Sequence, residues 1–103
     1  MTTADAIERR LAEIGADLRR LREELRVADE ELAHFRSDAD DAQVRAVVSD
    51  DRRAVRDERD ARRAVEAIAR QRAHLAREID RLEAGQDDLL DQLGAVRRAG
   101  RPS

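Results

Sequence analysis

Apolar residues recur along the first half of the chain in alternating steps of four and three. The repeat comprises Ile7, Leu11, Ile14, Leu18, Leu21, Leu25, Ala28, Leu32 and Phe35. This heptad spacing places every apolar side chain on one stripe of a helix. The Ala, Arg and Glu residues between them are good helix formers, and Thr3 is the expected N-cap. The pattern therefore predicts a long amphipathic helix that begins near Thr3.

A second heptad repeat occupies the other half of the chain. Its apolar positions are Ala61, Val65, Ile68, Leu75, Ile79, Leu82, Leu89 and Leu93. Arg72 and Gln86 stand at the two positions where this repeat becomes polar. Gly94 follows the last leucine and is a typical helix-ending residue. We therefore expect the second helix to end there and residues 94–103 to form a basic flexible tail.

The segment "AVVSDD", residues 46–51, decides whether the chain turns or continues as one helix. Ser49 followed by Asp50 and Asp51 has the pattern of an N-cap with acids in the first helical turn. Ser37 with Asp40 could also cap a helix, so a kink or a short additional helix near Ser37 is a second interpretation. The capping pattern favours a turn at residues 48–49.

These patterns predict an all-α fold, an antiparallel two-helix coiled-coil hairpin. Its single domain is residues 1–93, with arms at about 3–48 and 50–93. A turn at Ser49 pairs Leu18 with Ile79 and Leu32 with Val65. It also sets the two polar positions, Gln86 and Arg72, opposite Leu11 and Leu25. Because "AVVSDD" lacks Gly and Pro, a continuous helix in a parallel dimer remains the alternative.

Several apolar residues lie off the two repeats and would remain uncovered in a hairpin. They are Val27, Val44, Val47, Val55, Ala64 and Leu90. A two-helix hairpin buries little surface, so a second copy could pack on these residues. The hypothesis is a dimer that forms a four-helix bundle.

The composition argues against a catalytic or cofactor-binding protein. Charged residues make up 44% of the chain, aromatic residues 1%, and cysteine is absent. No nucleophile motif, phosphate-binding loop or zinc-binding spacing occurs. His34 and His74 lie too far apart in the predicted hairpin to share a metal ion. We therefore expect no enzymatic activity, no catalytic residues, no metal and no cofactor.

Charge and hydropathy also bear on partners and location. All 21 basic residues are Arg, yet 24 acidic residues give a net charge of −3. That balance and the lack of aromatic stacking residues argue against direct nucleic-acid binding. The first residues contain no apolar run of signal-peptide or membrane-spanning length. We expect a cytoplasmic protein that does not enter membranes and that binds a protein partner or itself.

Five acidic residues cluster around the predicted turn. They form the candidate partner-binding tip: Asp38, Asp40, Asp41, Asp50 and Asp51. An antiparallel coiled coil with an acidic tip resembles transcription factors of the Gre and DksA type. That resemblance implies a regulator of RNA polymerase whose tip acids act near the catalytic magnesium. Those families also carry an anchoring domain, for which we expect no counterpart in these 103 residues.

A longer resemblance covers most of the chain. "DADDAQVRAVVSD" and "RRAVEAIARQRAHLAREIDRLEAGQDDLLDQL" are similar to a group of small uncharacterised coiled-coil proteins of actinobacteria. The resemblance implies a GC-rich lineage, in keeping with the exclusive use of Arg, and it carries no function. The sequence thus favours a protein-protein interaction module or adaptor, with an RNA polymerase regulator as the alternative.

Overall fold

The computed structural model describes residues 2–100 and confirms the all-α helical hairpin. Helix α1 spans Thr3–Ser49 and helix α2 spans Arg52–Ala99. Asp50 and Asp51 join them. None of the described residues belongs to a β-strand. The fold therefore consists of two long helices, each carrying one of the two heptad repeats.

A capping box starts α1, one residue earlier than the sequence predicted. The Thr2 hydroxyl accepts a hydrogen bond from the Asp5 N–H at 3.1 Å. In return, the Thr2 N–H donates to an Asp5 carboxylate oxygen at 3.2 Å. This reciprocal pair satisfies two N–H groups that have no partner inside the helix. Thr2 is the N-cap, and Thr3 is the first helical residue.

The turn lies at Asp50 and Asp51, so the predicted role of Ser49 as N-cap is wrong. Ser49 is the last residue of α1. Asp50 adopts a left-handed conformation with φ of 49°, and its N–H bonds to the Ala46 carbonyl at 3.1 Å. Asp51 caps α2, because its side chain accepts the Ala54 N–H at 2.7 Å. Aspartate tolerates the left-handed region better than most residues, which explains a turn without Gly or Pro.

Two further predicted boundaries differ from the structure. Helix α1 passes through Ser37 without interruption, so no additional helix begins there. Helix α2 continues past Gly94 to Ala99, so the predicted tail is helical over most of its described part. Arg97 and Arg98 lie in the last turn, where positive charge interacts favourably with the helix dipole. The remaining predicted tail residues, 101–103, lie outside the described residues.

The helices divide into two compact units, and the first contains Met1–Glu23 and Ala76–Ser103. Its core is formed by Ile7, Ile14, Leu18, Leu21, Ile79 and Leu93. Two ion pairs join α1 to α2 in this unit. Glu8 bonds to Arg97 at 2.8 Å, and Arg22 lies 3.8 Å from Glu83. The residue number of the partner on α2 decreases as the residue number on α1 increases. The two segments therefore run antiparallel.

The second unit is Glu24–Leu75 and contains the turn. Its buried apolar residues are Ala28, Leu32, Ala42, Ala46 and Leu75. Arg72 crosses from α2 to α1, where its Nε donates to an Asp29 carboxylate oxygen. Alanine replaces leucine in the seam toward the turn, so less apolar area is buried per helical turn there than in the first unit.

The pairing register differs from the predicted one by about one helical turn on α2. A turn at Asp50 and Asp51 sets Leu18 opposite Leu82, where the sequence predicted Ile79. It sets Leu32 opposite Ile68, where the sequence predicted Val65. The contact between Arg72 and Asp29 agrees with this register, since it brings Arg72 next to Ala28.

The polar seam positions gain new partners in this register. Gln86 lies opposite Ile14, where the sequence predicted Leu11. Arg72 lies opposite the small Ala28, where the sequence predicted Leu25. The long aliphatic stem of Arg72 can therefore cover the seam while its guanidinium group reaches the surface at Asp29.

Candidate interaction surfaces

The five predicted tip aspartates are all exposed, but they do not form one compact cluster. Asp50 and Asp51 lie in the turn itself. Asp38, Asp40 and Asp41 lie on α1, about 12–17 Å along the helix axis from its last residue at 1.5 Å per residue. The acidic tip of the sequence analysis therefore consists of two separate acidic groups.

Some of these aspartates already have structural partners. Asp38 lies 3.4 Å from Nε2 of His34, one helical turn away. Asp51 caps α2 through its side chain. Asp40 lines a solvent-open groove together with Arg36 and Arg62, so basic groups stand beside it. The structure does not test whether the aspartates bind a partner, and that role stays a prediction.

Arginines surround the turn as closely as the aspartates do. Arg45 lies on the last part of α1, and Arg52, Arg53 and Arg56 lie in the first turns of α2. All four are exposed. Because opposite charges at similar distances offset each other, the turn end presents a mixed rather than an acidic field.

Uncovered valines are the more unusual feature of this end of the hairpin. Val44, Val47 and Val48 on α1 have exposed fractions of 62%, 77% and 78%. Val55 follows on α2, with an exposed fraction of 42%. We call these four residues the valine patch. The sequence analysis identified three of them as lying off the seam and missed Val48, because it assigned that residue to the turn.

The histidines occupy unremarkable surface positions. His34 is exposed and packs edge-on against Phe35, with ring centroids 5.8 Å apart. His74 is exposed on α2. Within residues 2–100, no group of three or more His, Cys, Asp or Glu side chains is arranged to hold a metal ion.

The surface grooves are open and lie mainly along helix flanks. One in the first unit is lined by Ile14, Leu82 and Gly85, among others. Two in the second unit include Val55 and Arg59. No polar or charged side chain is buried among the described residues. These grooves offer a contact surface rather than a water-excluding site.

Neither similarity to known proteins nor a membrane-spanning helix assigns a family or a function to this chain. No protein-family model, curated protein or solved structure matches the chain. In the part of the chain that the structure describes, neither helix has a stretch long and apolar enough to cross a membrane. The resemblances noted in the sequence remain predictions.

Proposed function

We propose that this protein is a non-enzymatic interaction module that binds another protein through the turn end of its hairpin. The observation that carries the proposal is the exposure of Val47 and Val48, each more than three-quarters accessible. Burying a valine side chain contributes roughly 1.5 kcal/mol or more to association. Uncovered apolar residues beside polar ones are typical of protein-binding surfaces.

The surroundings of the valine patch indicate the chemistry of the partner. Arg45 lies between Val44 and Val47 in the sequence, and Arg52 and Arg56 flank Val55. An apolar surface edged with carboxylates would bury the valines and pair with these arginines. Charge at the rim of an interface mainly steers association, while the buried apolar residues supply affinity.

Site-specific photo-crosslinking in the native host tests this proposal. A photo-reactive residue replaces Val47 in one variant. In the control it replaces Val27, an exposed valine of α1 that lies outside the valine patch. We expect a specific adduct from position 47 that is lost when Val44 and Val48 become serine. The partner peptide identified by mass spectrometry should contain apolar and acidic residues. Equal labelling from both positions, or no adduct from position 47, would overturn the proposal.

The same experiment separates the acidic-tip alternative. If the chain regulates RNA polymerase through Asp38, Asp40, Asp41, Asp50 and Asp51, the adduct should contain a polymerase subunit. Replacing those aspartates with asparagine should then abolish it. Serine substitutions in the valine patch should leave it unchanged. An adduct that requires the valines and survives the asparagine substitutions supports the valine patch instead.

A further inference from the structure

A second heptad stripe runs along α2 beside the seam that packs on α1. Steps of four and three connect Val55, Arg59, Arg62, Glu66, Ala69, Ala73, Ala76, Asp80, Glu83, Asp87 and Leu90. Helix α2 is continuous from Arg52 to Ala99, so these positions share one face of it. Apart from the three alanines, which are half-buried, every residue of the stripe is exposed. We call this face the α2 stripe.

The α2 stripe has an ordered charge pattern. Its N-terminal part carries Arg59, Arg62 and a single acid, Glu66, and its C-terminal part carries Asp80, Glu83 and Asp87 with no arginine. The three alanines lie between these parts. Exposed apolar residues close the stripe at its ends, with Val55 exposed by 42% and Leu90 by 51%. A helix of this kind is complementary to a copy of itself that runs in the opposite direction.

We propose that a second copy of this chain docks antiparallel on the α2 stripe. When Ala73 of the second copy lies against Ala69, equal steps along both helices bring the charged positions together. Asp80 of the second copy then faces Arg62, and Glu83 of the second copy faces Arg59. The twofold symmetry of such a dimer repeats each pair, so four ion pairs flank an alanine centre.

The side chains involved are available for these contacts. The side chains of Arg59 and Asp80 form neither a hydrogen bond nor an ion pair with any other residue among 2–100. Glu83 has only a long contact, 3.8 Å from Arg22, and Arg62 pairs with the neighbouring Glu58. Arg62 and Glu83 remain accessible within these pairs, so a partner on the second copy can extend them.

The alanine centre and the apolar ends of the α2 stripe supply the close packing and apolar burial that its charged residues do not. Alanines at Ala69, Ala73 and Ala76 allow two helix axes to approach to about 8 Å, the lower end of the usual range. Exposed ion pairs add little affinity, so here they mainly select the orientation of the second copy. Val55 and Leu90 of the two copies come within one helical turn of each other and become covered.

This inference goes beyond the proposed function, because its partner is a second copy and its surface shares only Val55 with the valine patch. The two proposals fail separately. A monomeric chain that still forms the adduct from position 47 would overturn only the dimer. A dimer without that adduct would overturn only the binding of another protein at the valine patch.

Complementary charge reversal tests the dimer, with mass measured by sedimentation equilibrium at low and high salt. One variant carries Arg59→Glu and Arg62→Glu, and the other carries Asp80→Arg and Glu83→Arg. Each alone would place like charges together, so we expect at least a tenfold weaker dimer. In an equimolar mixture all four pairs again join opposite charges, two with their signs exchanged and two as in the unsubstituted chain, so a heterodimer should form. Salt should weaken the wild-type dimer because it screens the pairs.

The control is the double variant Arg53→Glu with Arg81→Glu, which reverses the charge of two arginines outside the α2 stripe. Circular dichroism of every variant establishes that the helices are intact. The control should dimerise within about twofold of the unsubstituted chain. A monomeric unsubstituted chain at several hundred micromolar would overturn the proposal. So would single-variant dimers of unchanged strength, or a mixture that fails to associate.

Discussion

At the residue scale, the turn depends on two neighbouring aspartates with different tasks. Asp50 takes the left-handed conformation that ends α1, and Asp51 caps α2 with its carboxylate. Neither task requires a partner protein. The pair therefore accounts for part of the acidic character of the tip by structure alone.

The capping assignment gives a direct stability prediction. Asp51→Ala removes the acceptor of the Ala54 N–H and should lower the free energy of unfolding by about 1 kcal/mol. Ser49→Ala changes the last residue of α1 and should lower it by less than about 0.5 kcal/mol. Urea unfolding of the two variants measures both values. A larger loss of stability in Ser49→Ala than in Asp51→Ala would mean that Ser49, as the sequence predicted, is the N-cap of α2.

At the scale of the helices, the polar position Gln86 interrupts the apolar seam of the first unit. The register places it opposite Ile14, which is 3% exposed. Gln86→Leu should therefore raise the free energy of unfolding by about 1 kcal/mol through added apolar burial. Arg72→Leu should raise the free energy of unfolding by less, because this substitution also removes the hydrogen bond to Asp29.

Thermal unfolding of these variants measures the effect against Gln43→Leu, which adds the same side chain at an exposed position of α1. The control should leave the melting temperature nearly unchanged. A gain at Gln43 equal to that at Gln86 would mean that Gln86 does not face the seam.

Gly85 weakens α2 through its backbone rather than its packing. A Cβ added there meets no atom within 4 Å beyond its chain neighbours and the adjacent backbone of its own helix. Glycine costs about 1 kcal/mol relative to alanine inside a helix. Gly85→Ala should therefore raise the free energy of unfolding by about that amount and slow amide exchange in the surrounding turn. Gly100→Ala, beyond the end of α2, serves as the control and should change neither. Destabilisation by Gly85→Ala would indicate a close approach that the structure does not contain.

The heptad repeats were sufficient to predict both helices, because a stripe of Leu and Ile at Leu18, Leu21 and Ile79 can be buried only against another helix. They could not set the register, since every whole-turn shift also matches apolar residues. The choice rested on Ser49, and an error of two residues at the turn moved the pairing by one helical turn. One signal in the sequence could have identified the correct register, since only that register sets the large Arg72 side chain opposite the small Ala28.

The candidate site was harder to predict than the fold. The sequence indicates that Asp38 and Asp51 are acidic and near a turn, but not that one lies beside His34 and the other caps a helix. Val48 was overlooked because a turn residue was not expected to belong to an exposed helical face. Exposure follows from the register, which the repeats alone leave open.

At the scale of the whole molecule, the central claim is that the chain supplies its own helical partner. Each compact unit contains a segment of α1 and a segment of α2. A continuous helix in a parallel dimer would separate those segments and leave each seam to be covered by another chain. The ion pairs that link α1 to α2 would then have no counterpart within one chain.

Electron-electron distance measurement on the variant Arg22→Cys with Glu83→Cys tests this claim most directly. The chain contains no other cysteine, so spin labels attach only at these two positions of the first unit. The sample is diluted with unlabelled chain so that only distances within one molecule contribute. The hairpin predicts a separation within about 20 Å, given helix axes about 10 Å apart and the added reach of the labels. A distance of about 90 Å, the span of the intervening residues in one continuous helix, would contradict it.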